Sequence, residues 1–388
     1  MEGLGQKKRA IVGLSGGVDS AVSALLLKKA GFDVVGLFMK NWDEAGHCTS
    51  EDDYRDVVSV CEKIDIPYYT LEFIQQYRDE VFTEFLEDYR AGLTPNPDIL
   101  CNQKIKFDIF FKKAMELGAD YLATGHYSQL DYDHDGNPYL VRAEDSAKDQ
   151  SYFLFRAPYE SLRKVLFPIG HLRKSIVREI AIKAGLPVAA KKDSTGICFI
   201  GERNFRNFLS GYLPLNEGPM KTLAGEVVGR HQGLCFYTLG QRKGLGLGGE
   251  GRPWFVVAKD LKHNTLIVER GENHPALYSR KLWADRIQWM LPYAPKNLPM
   301  NCTAKVRYRQ QDQDCRISVE ADGRILVEFS EPQRSVTPGQ SVVFYSGRVC
   351  LGGGRIIEVG PTLYDEKSGQ TSLEILDENS KLISNSII

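Results

Sequence analysis

No apolar run approaches the roughly 18 residues that a membrane-spanning helix needs, so no membrane association is expected. The first residues, Met1 to Arg9, are polar and lack the apolar core of a signal peptide, which leads us to expect a cytoplasmic protein. None of the cysteines Cys48, Cys61, Cys101, Cys198, Cys235, Cys302, Cys315 and Cys350 forms a Cys-x-x-Cys pair. A protein-ligated metal site or iron–sulfur cluster is therefore not expected. Without an export signal the cysteines rest as thiols, so any pair acting together carries chemistry. There is no strong net charge either. The formal value is −1 over 388 residues, which excludes a uniformly basic nucleic-acid coat. Internal repeats and low-complexity tracts are absent.

What is present is uneven. From Arg203 to Arg316 there are 18 lysines and arginines against nine acidic residues, whereas the first 200 residues carry 25 against 30. A polyanion could rest on the middle of the chain while the N-terminal part handles a small molecule. The N-terminal part alternates strand-like and helix-like stretches. Ile11–Leu14, Asp33–Met39, Pro67–Phe73 and Asp120–Thr124 are expected strands. Ala21–Ala30, Ser50–Ile64, Glu80–Ala91, Asp108–Leu117 and Leu172–Ala184 are expected helices. This order predicts a parallel sheet covered by helices, with ligands bound beyond the carboxyl ends of its strands. After about Tyr212, short apolar stretches alternate with glycine turns. Beyond Pro292 the pattern is mostly strands, with Cys302–Tyr308 the first. The expected architecture is multidomain α/β plus β. It comprises an N-terminal α/β/α unit over 1–210, a small, mostly β central domain over 211–285, a C-terminal β-barrel over 286–361 and an irregular tail over 362–388.

The stretch Ala10 to Val12, then Gly13-Leu14-Ser15-Gly16-Gly17-Val18-Asp19-Ser20, runs from a strand through a tight turn into an apolar helix. Two glycines let the backbone turn sharply, and free amides at a helix start form a nest for an anion. Ser15 and Ser20 add hydroxyl donors. No Gly-Lys-Ser/Thr follows, so the turn is not a Walker A loop. Read alone, it is also compatible with a simple strand–helix connection. Met39 and the pair Gly125-His126 fall at the ends of other expected strands, where a ligand would sit.

Asp98 and Cys101 lie three apart in Asn96-Pro97-Asp98-Ile99-Leu100-Cys101-Asn102, which puts them on one face of a helical turn. A carboxylate cannot lower the pKa of a neighbouring thiol by charge, so Asp98 reads as a proton handler or positioning group. Lys104 and Lys106 supply positive field. An ordinary loop cysteine beside an Asp-mediated turn would look the same. Cys198, in Asp193-Ser194-Thr195-Gly196-Ile197-Cys198-Phe199, sits either in an exposed loop or in a buried strand. The alternation Lys305, Arg307, Arg309 would put three cations on one strand face, as either a phosphate stripe or a solubilised edge.

The Ser15–Ser20 loop resembles that of the PP-loop ATP pyrophosphatases. Further motifs are Phe38-Met39-Lys40-Asn41-Trp42, Thr94 to Asn102, Ala123-Thr124-Gly125-His126-Tyr127, Lys148-Asp149-Gln150-Ser151-Tyr152-Phe153, Asp193 to Glu202, Tyr237 to Leu245 and Ala304 to Tyr308. Together these resemble the tRNA-specific 2-thiouridylases from Lys8 to about Gly360. The resemblance implies replacement of the C2 oxygen of the wobble uridine in tRNAs for lysine, glutamate and glutamine by sulfur. It implies Cys101 and Cys198 as catalytic cysteines and Asp98 as catalytic aspartate. Gly13, Leu14, Ser15, Gly16, Gly17, Asp19, Ser20, Met39, Gly125 and His126 would form the ATP site, with Mg²⁺ assisting. Asn96 and Gln150 would hold the target base. Lys148, Arg203, Arg206, Arg242, Lys243, Lys305, Arg307 and Arg309 would contact tRNA. The implied partners are tRNA and a protein persulfide donor, a cysteine desulfurase or a sulfur-relay carrier, and the enzyme is expected to be a monomer. The rivals are a PP-loop ligase or amidotransferase that adenylates a small carboxylic acid or carbonyl, and a noncatalytic RNA-binding adaptor.

Overall fold

The computed structural model describes residues 7–42, 50–193 and 205–369. Cys198 and Arg203 lie outside the described residues. Strand β1 (Arg9–Leu14) is apolar on both faces because it is the middle of a parallel sheet. It pairs with β2 (Asp33–Lys40) on one side and β4 (Tyr121–Thr124) on the other. With β3 (Tyr68–Glu72) and, after the hairpin described below, β7 (Val165–Leu166), the order is β3-β2-β1-β4-β7. The chain moves outward from β1 to β3 and then returns to the far side of β1. The strand order therefore reverses between β1 and β4, which opens a crevice at their carboxyl ends. Helix α1 (Val18–Lys29) starts in that crevice. It is packed on nearly all sides, with Val18, Ala21, Val22, Ala24 and Leu25 buried. Val57 and Val60 of the Ser50–Ile64 helix and Val177 and Ala181 of the Lys174–Lys183 helix share this core. Phe73, Tyr77, Phe85, Ile105, Phe107 and Phe110 fill the opposite face, completing the α/β/α sandwich.

The central unit is a four-stranded sheet of β8 (Gly218–Lys221), β9 (Val227–His231), β10 (Trp254–Asp260) and β11 (Thr265–Arg270), in the order β10-β11-β8-β9. Beyond it, β12 (Tyr278–Trp289), β13 (Met300–Lys305), β14 (Gln313–Val319), β15 (Ile325–Arg334), β16 (Ser341–Ser346) and β17 (Val349–Val359) close a barrel through the β12–β17 pairing. Leu282, Ala304, Ile317, Val327, Val342 and Ile356 line its core. β12 crosses the expected boundary at 285/286, because its alternating pattern starts at Tyr278 and belongs wholly to the barrel. The segment expected as an irregular tail begins with a helix, Leu363–Ser368, fixed by a Thr362–Asp365 capping box.

One connection was not expected. The hairpin of β5 (Ser128–Tyr132) and β6 (Pro138–Arg142) leaves the N-terminal unit and joins the barrel sheet beside β17. Arg142 lies over the Tyr345 ring at 3.7 Å and bonds Asp312 at 2.8 Å. The barrel also grips the stretch ahead of Asn96. Thr94 N donates to Pro338 O at 3.0 Å, and Gln340 Nε2 donates to Thr94 O at 2.6 Å. Arg355 pairs with Asp88, with both side chains only 12% exposed.

Candidate active site

The turn after β1 is built for close backbone approach. Gly16 has φ +73°, and a Cβ there would stand 2.7 Å from Asp53 O. Ser20 Oγ accepts from Ser15 N at 3.2 Å, lies 3.2 Å from Ser15 Oγ and donates to Gly17 O. Gly17 precedes α1 and gives its first turn no side-chain cap, leaving a positive helix end at the crevice. The turn after β4 presses on the same helix end, since a Cβ on Gly125 would stand 2.6 Å from Ser20 N. His126 is held by Thr124, with Oγ1 to Nδ1 at 2.9 Å, and its ring stands 5.7 Å from that of Phe107. Burial, and then the Lys106 charge, hold His126 far below its usual pKa, so it is neutral at pH 7.

Asp98 and Cys101 follow on the neighbouring wall. Asn96 Oδ1 caps the Pro97–Leu100 turn by accepting from Asp98 N at 3.2 Å, and Pro97 occupies the first helical position. The helix widens into a π-helical stretch, Cys101–Ile109, and continues as Phe110–Glu116. Cys101 is buried at 3% exposure. Burial raises the Asp98 carboxyl above its usual pKa, and the Lys106 charge opposes this. One lysine thus bears on both Asp98 and His126, while Phe110 of the same helix lies against Gly13. The helix that begins at the carboxylate–thiol turn thus reaches β1 at Gly13, two residues ahead of Ser15.

Three family descriptions match in tandem. These are the tRNA methyl transferase HUP domain over 8–202, the tRNA methyl transferase PRC-barrel domain over 206–270 and the Aminomethyltransferase beta-barrel domain over 279–356. The tRNA-specific 2-thiouridylase MnmA of Protochlamydia amoebophila is 56% identical over 364 residues, 93% of this chain and 96% of the relative. That of Alkaliphilus oremlandii is 57% identical over 356 residues, 90% of this chain and 97% of the relative. That of Bacillus subtilis is 55% identical over 362 residues, 92% of this chain and 97% of the relative. This chain belongs to the tRNA-specific 2-thiouridylase family.

In this 2-thiouridylase fold several expected residues have local duties. Gln150 Oε1 accepts from Tyr127 N at 2.8 Å and Gln150 N donates to Tyr127 O at 2.7 Å, so its side-chain carbonyl is occupied within the protein. Met39, at the end of β2, packs on the core from its partly buried position. Lys148 pairs with Asp193 at 2.7 Å. The stripe of three cations is corrected. β13 ends at Lys305, and Arg307 and Arg309 follow in a bend and turn. Lys305 is 12% exposed and faces Asp312 and Tyr345. Arg307 donates to Ser335 O at 2.7 Å, and only Arg309 of the three is exposed. Arg242 and Lys243 are exposed, and Arg206 bonds Gln232 at 3.0 Å. Arg242 borders a recess of about 250 Å³ formed by the Gly244–Gly249 loop with Arg252, Trp254 and Arg270, which stacks on Trp254 at 4.3 Å. Trp42 and Tyr152, from two of the quoted motifs, serve the interior. Trp42 packs on Phe82 at 4.9 Å, and Tyr152 OH donates to Ser341 O.

The sequence reading missed Lys174 and Tyr127 beside the Ser15–Ser20 turn. Tyr127 OH donates to Asp19 Oδ1 at 2.8 Å, and Lys174 Nζ reaches both Asp19 oxygens at 2.8 Å. The strand-end position of Tyr127 was a usable signal. Lys174 opens an ordinary amphipathic helix, and nothing local distinguishes it.

Proposed function

We propose that the chain is an ATP-dependent tRNA 2-thiouridylase that exchanges the C2 oxygen of the anticodon wobble uridine for sulfur in tRNAs for lysine, glutamate and glutamine. The observation carrying this reading is the helix shared by the anion cradle and the Asp98–Cys101 turn. A reaction that activates a carbonyl with ATP and then attacks it with sulfur needs both at one pocket.

The Ser15–Ser20 turn and the uncapped start of α1 receive the phosphates, with Met39, Gly125 and His126 toward the nucleoside. The residues fit this ligand, because the uncapped start of α1 and the Ser15 and Ser20 hydroxyls are the donor set that a phosphate takes. Mg²⁺, which needs only one or two carboxylates beside phosphates, would neutralise charge there, with Asp19 as the nearest carboxylate of the loop. The uracil C2 oxygen attacks the α-phosphorus, pyrophosphate leaves, and the oxygen becomes part of a good leaving group. Cys198, charged by a persulfide donor, supplies the outer sulfur to C2, and AMP departs. Cys101 attacks the inner sulfur, leaving a Cys101–Cys198 disulfide that a reductant must reopen. Asp98, acting as a carboxylate whose proton affinity burial raises, would take the Cys101 thiol proton and pass it to the departing thiolated base. An unpaired anticodon base enters such a pocket at lower cost than a stacked duplex base. Exposed Arg242, Lys243 and Arg309 are the cations available to tRNA phosphates.

The test is sulfur transfer to anticodon-loop RNA in the presence of ATP and a persulfide donor, read by nucleoside analysis. 2-Thiouridine that requires ATP, Cys101 and Cys198 is the expected product. Pyrophosphate release with a small carboxylic acid and no RNA would assign the chain to the ligase alternative.

A further inference from the structure

A second pair of sulfurs, in the barrel, takes no part in the steps above. Cys302 of β13 stands directly opposite Cys315 of β14 in their antiparallel pairing. Directly opposed residues of such a pair have Cα atoms about 4.5–5.5 Å apart, within the span of about 4.4–6.8 Å that a disulfide bridges. Both cysteines are free thiols, and their Sγ atoms lie 3.6 Å apart. Bonded sulfurs stand about 2.0 Å apart. The remaining gap is within reach of side-chain rotation, so the strands need not part.

The two thiols are not equivalent. Cys315 is 4% exposed, whereas Cys302 is only partly buried. They border a recess of about 410 Å³ with Asn301, Arg316 and Ser330, roomy enough for a small oxidant. The Cys315 thiol donates to the Cys302 sulfur, which holds Cys302 below its usual pKa despite its burial and raises Cys315. An oxidant reacts with a thiolate, so Cys302 reacts first and Cys315 stands behind it. By contrast, burial pushes the thiols of Cys61 and Cys350 up to about 12.

We propose that Cys302 and Cys315 form a peroxide-sensitive dithiol that closes reversibly to a cross-strand disulfide, a modification site made of neither cysteine assigned to sulfur transfer. The Cys302 thiolate attacks one oxygen of a hydroperoxide and the O–O bond breaks. The departing oxyanion takes up a proton and leaves as water or an alcohol, and Cys302 becomes a sulfenic acid. The Cys315 sulfur then attacks that sulfur, the S–O bond breaks, and the hydroxyl leaves as water with the Cys315 proton. Two electrons pass from the dithiol to the peroxide, and a thiol reductant returns them. The new bond staples the hairpin whose loop carries Arg307, Tyr308 and the exposed Arg309, with the Tyr308 ring 4.4 Å from that of Phe153. The proposal stands whether or not the chain transfers sulfur.

The test treats the full-length chain with hydrogen peroxide, alkylates the remaining thiols and maps the unreduced digest by mass spectrometry, which separates this link from any made by Cys101 or Cys198. The expected product is a cross-linked peptide joining Cys302 to Cys315, formed at least about tenfold faster than the Cys61 or Cys350 thiol is lost, and reopened by dithiothreitol. In Cys315→Ser the link disappears and dimedone traps Cys302 as a sulfenic acid. In Cys302→Ser, Cys315 stays a thiol. The wild-type map alone carries the test if either variant does not fold. Recovery of both cysteines as alkylated thiols after a large excess of peroxide would overturn the proposal. Conversion of Cys302 to a sulfinic acid with no link to Cys315 would overturn it equally.

Discussion

Gly125→Ala tests the nucleotide cradle directly. The added methyl would stand 2.6 Å from Ser20 N, 2.9 Å from Asp19 C and 3.0 Å from Ser20 Cα, whereas ordinary contact begins near 3.4 Å. All three neighbours are backbone, so no side chain can swing aside. The turn after β4 and the first turn of α1 must separate by about 0.8 Å, the shortfall at Ser20 N. Overpacking of this kind costs about 1–3 kcal/mol. If that cost falls on the phosphate-bound state, ATP affinity drops about 5- to 150-fold, at about 1.4 kcal/mol per decade. Calorimetric titration with a non-hydrolysable ATP analogue reads the affinity, and thermal melting reads the part borne by the fold. Gly248→Ala is the control, because a Cβ there meets nothing within 4 Å. If Gly125→Ala binds the analogue and melts like Gly248→Ala, the cradle is elsewhere and the reasoning fails.

Three further outcomes follow from the charges. Lys106 lowers the pKa of both Asp98 and His126, so Lys106→Ala should move the Asp98 limb of the rate–pH profile to higher pH; an unmoved limb would separate Asp98 from the rate. His126 has a folded pKa far below its unfolded value, so the unfolded state binds its proton first. Stability from this group is full above about pH 6.5 and declines as pH falls, by at most about 1.4 kcal/mol per unit. His126→Gln should flatten the pH 7 to 5 melting profile, and an unchanged slope would refute this. Arg355→Met leaves Asp88 buried opposite its lost partner. With Arg286 still nearby, the loss should fall at the low end of about 3–5 kcal/mol in urea unfolding, and Arg355→Met/Asp88→Leu should recover most of it. No recovery would mean that the pair does not carry the interface.

Local pattern carried much of the N-terminal unit. The Ser50–Ile64 helix has the expected limits, and the Ser15 and Gly125 turns lie where apolar strands run out. The Asn96–Cys101 turn was readable because Asn-Pro-Asp places a cap, a first helical position and an acidic first turn in sequence. Long-range partners were not readable. β5 and β6 carry Asp131, Asp133 and Gly136 around a polar turn, which resembles a surface excursion, and the strand they join lies more than two hundred residues later. Lys305 looked like a surface cation because its alternation with Arg307 and Arg309 mimics a strand, yet Asp312 and Tyr345 draw it inward. The Lys174 tie to Asp19 and Asp193 is invisible for the same reason. Each of the three is a common surface type, and only the tertiary fold brings them together.

The β5–β6 hairpin makes the first and last thirds of the chain interdependent. It leaves Tyr127, whose hydroxyl holds Asp19 beside the Ser15–Ser20 turn, and ends at Arg142, which is clasped by Tyr345 of the distant sheet and by Asp312 just ahead of β14. A fragment ending before the barrel would keep the whole phosphate cradle in its sequence but would bare an unpaired strand edge and strand a guanidinium group without its cage. Dissecting this enzyme into an ATP-handling half and an RNA-handling half should yield two sticky, poorly folded pieces rather than two working parts.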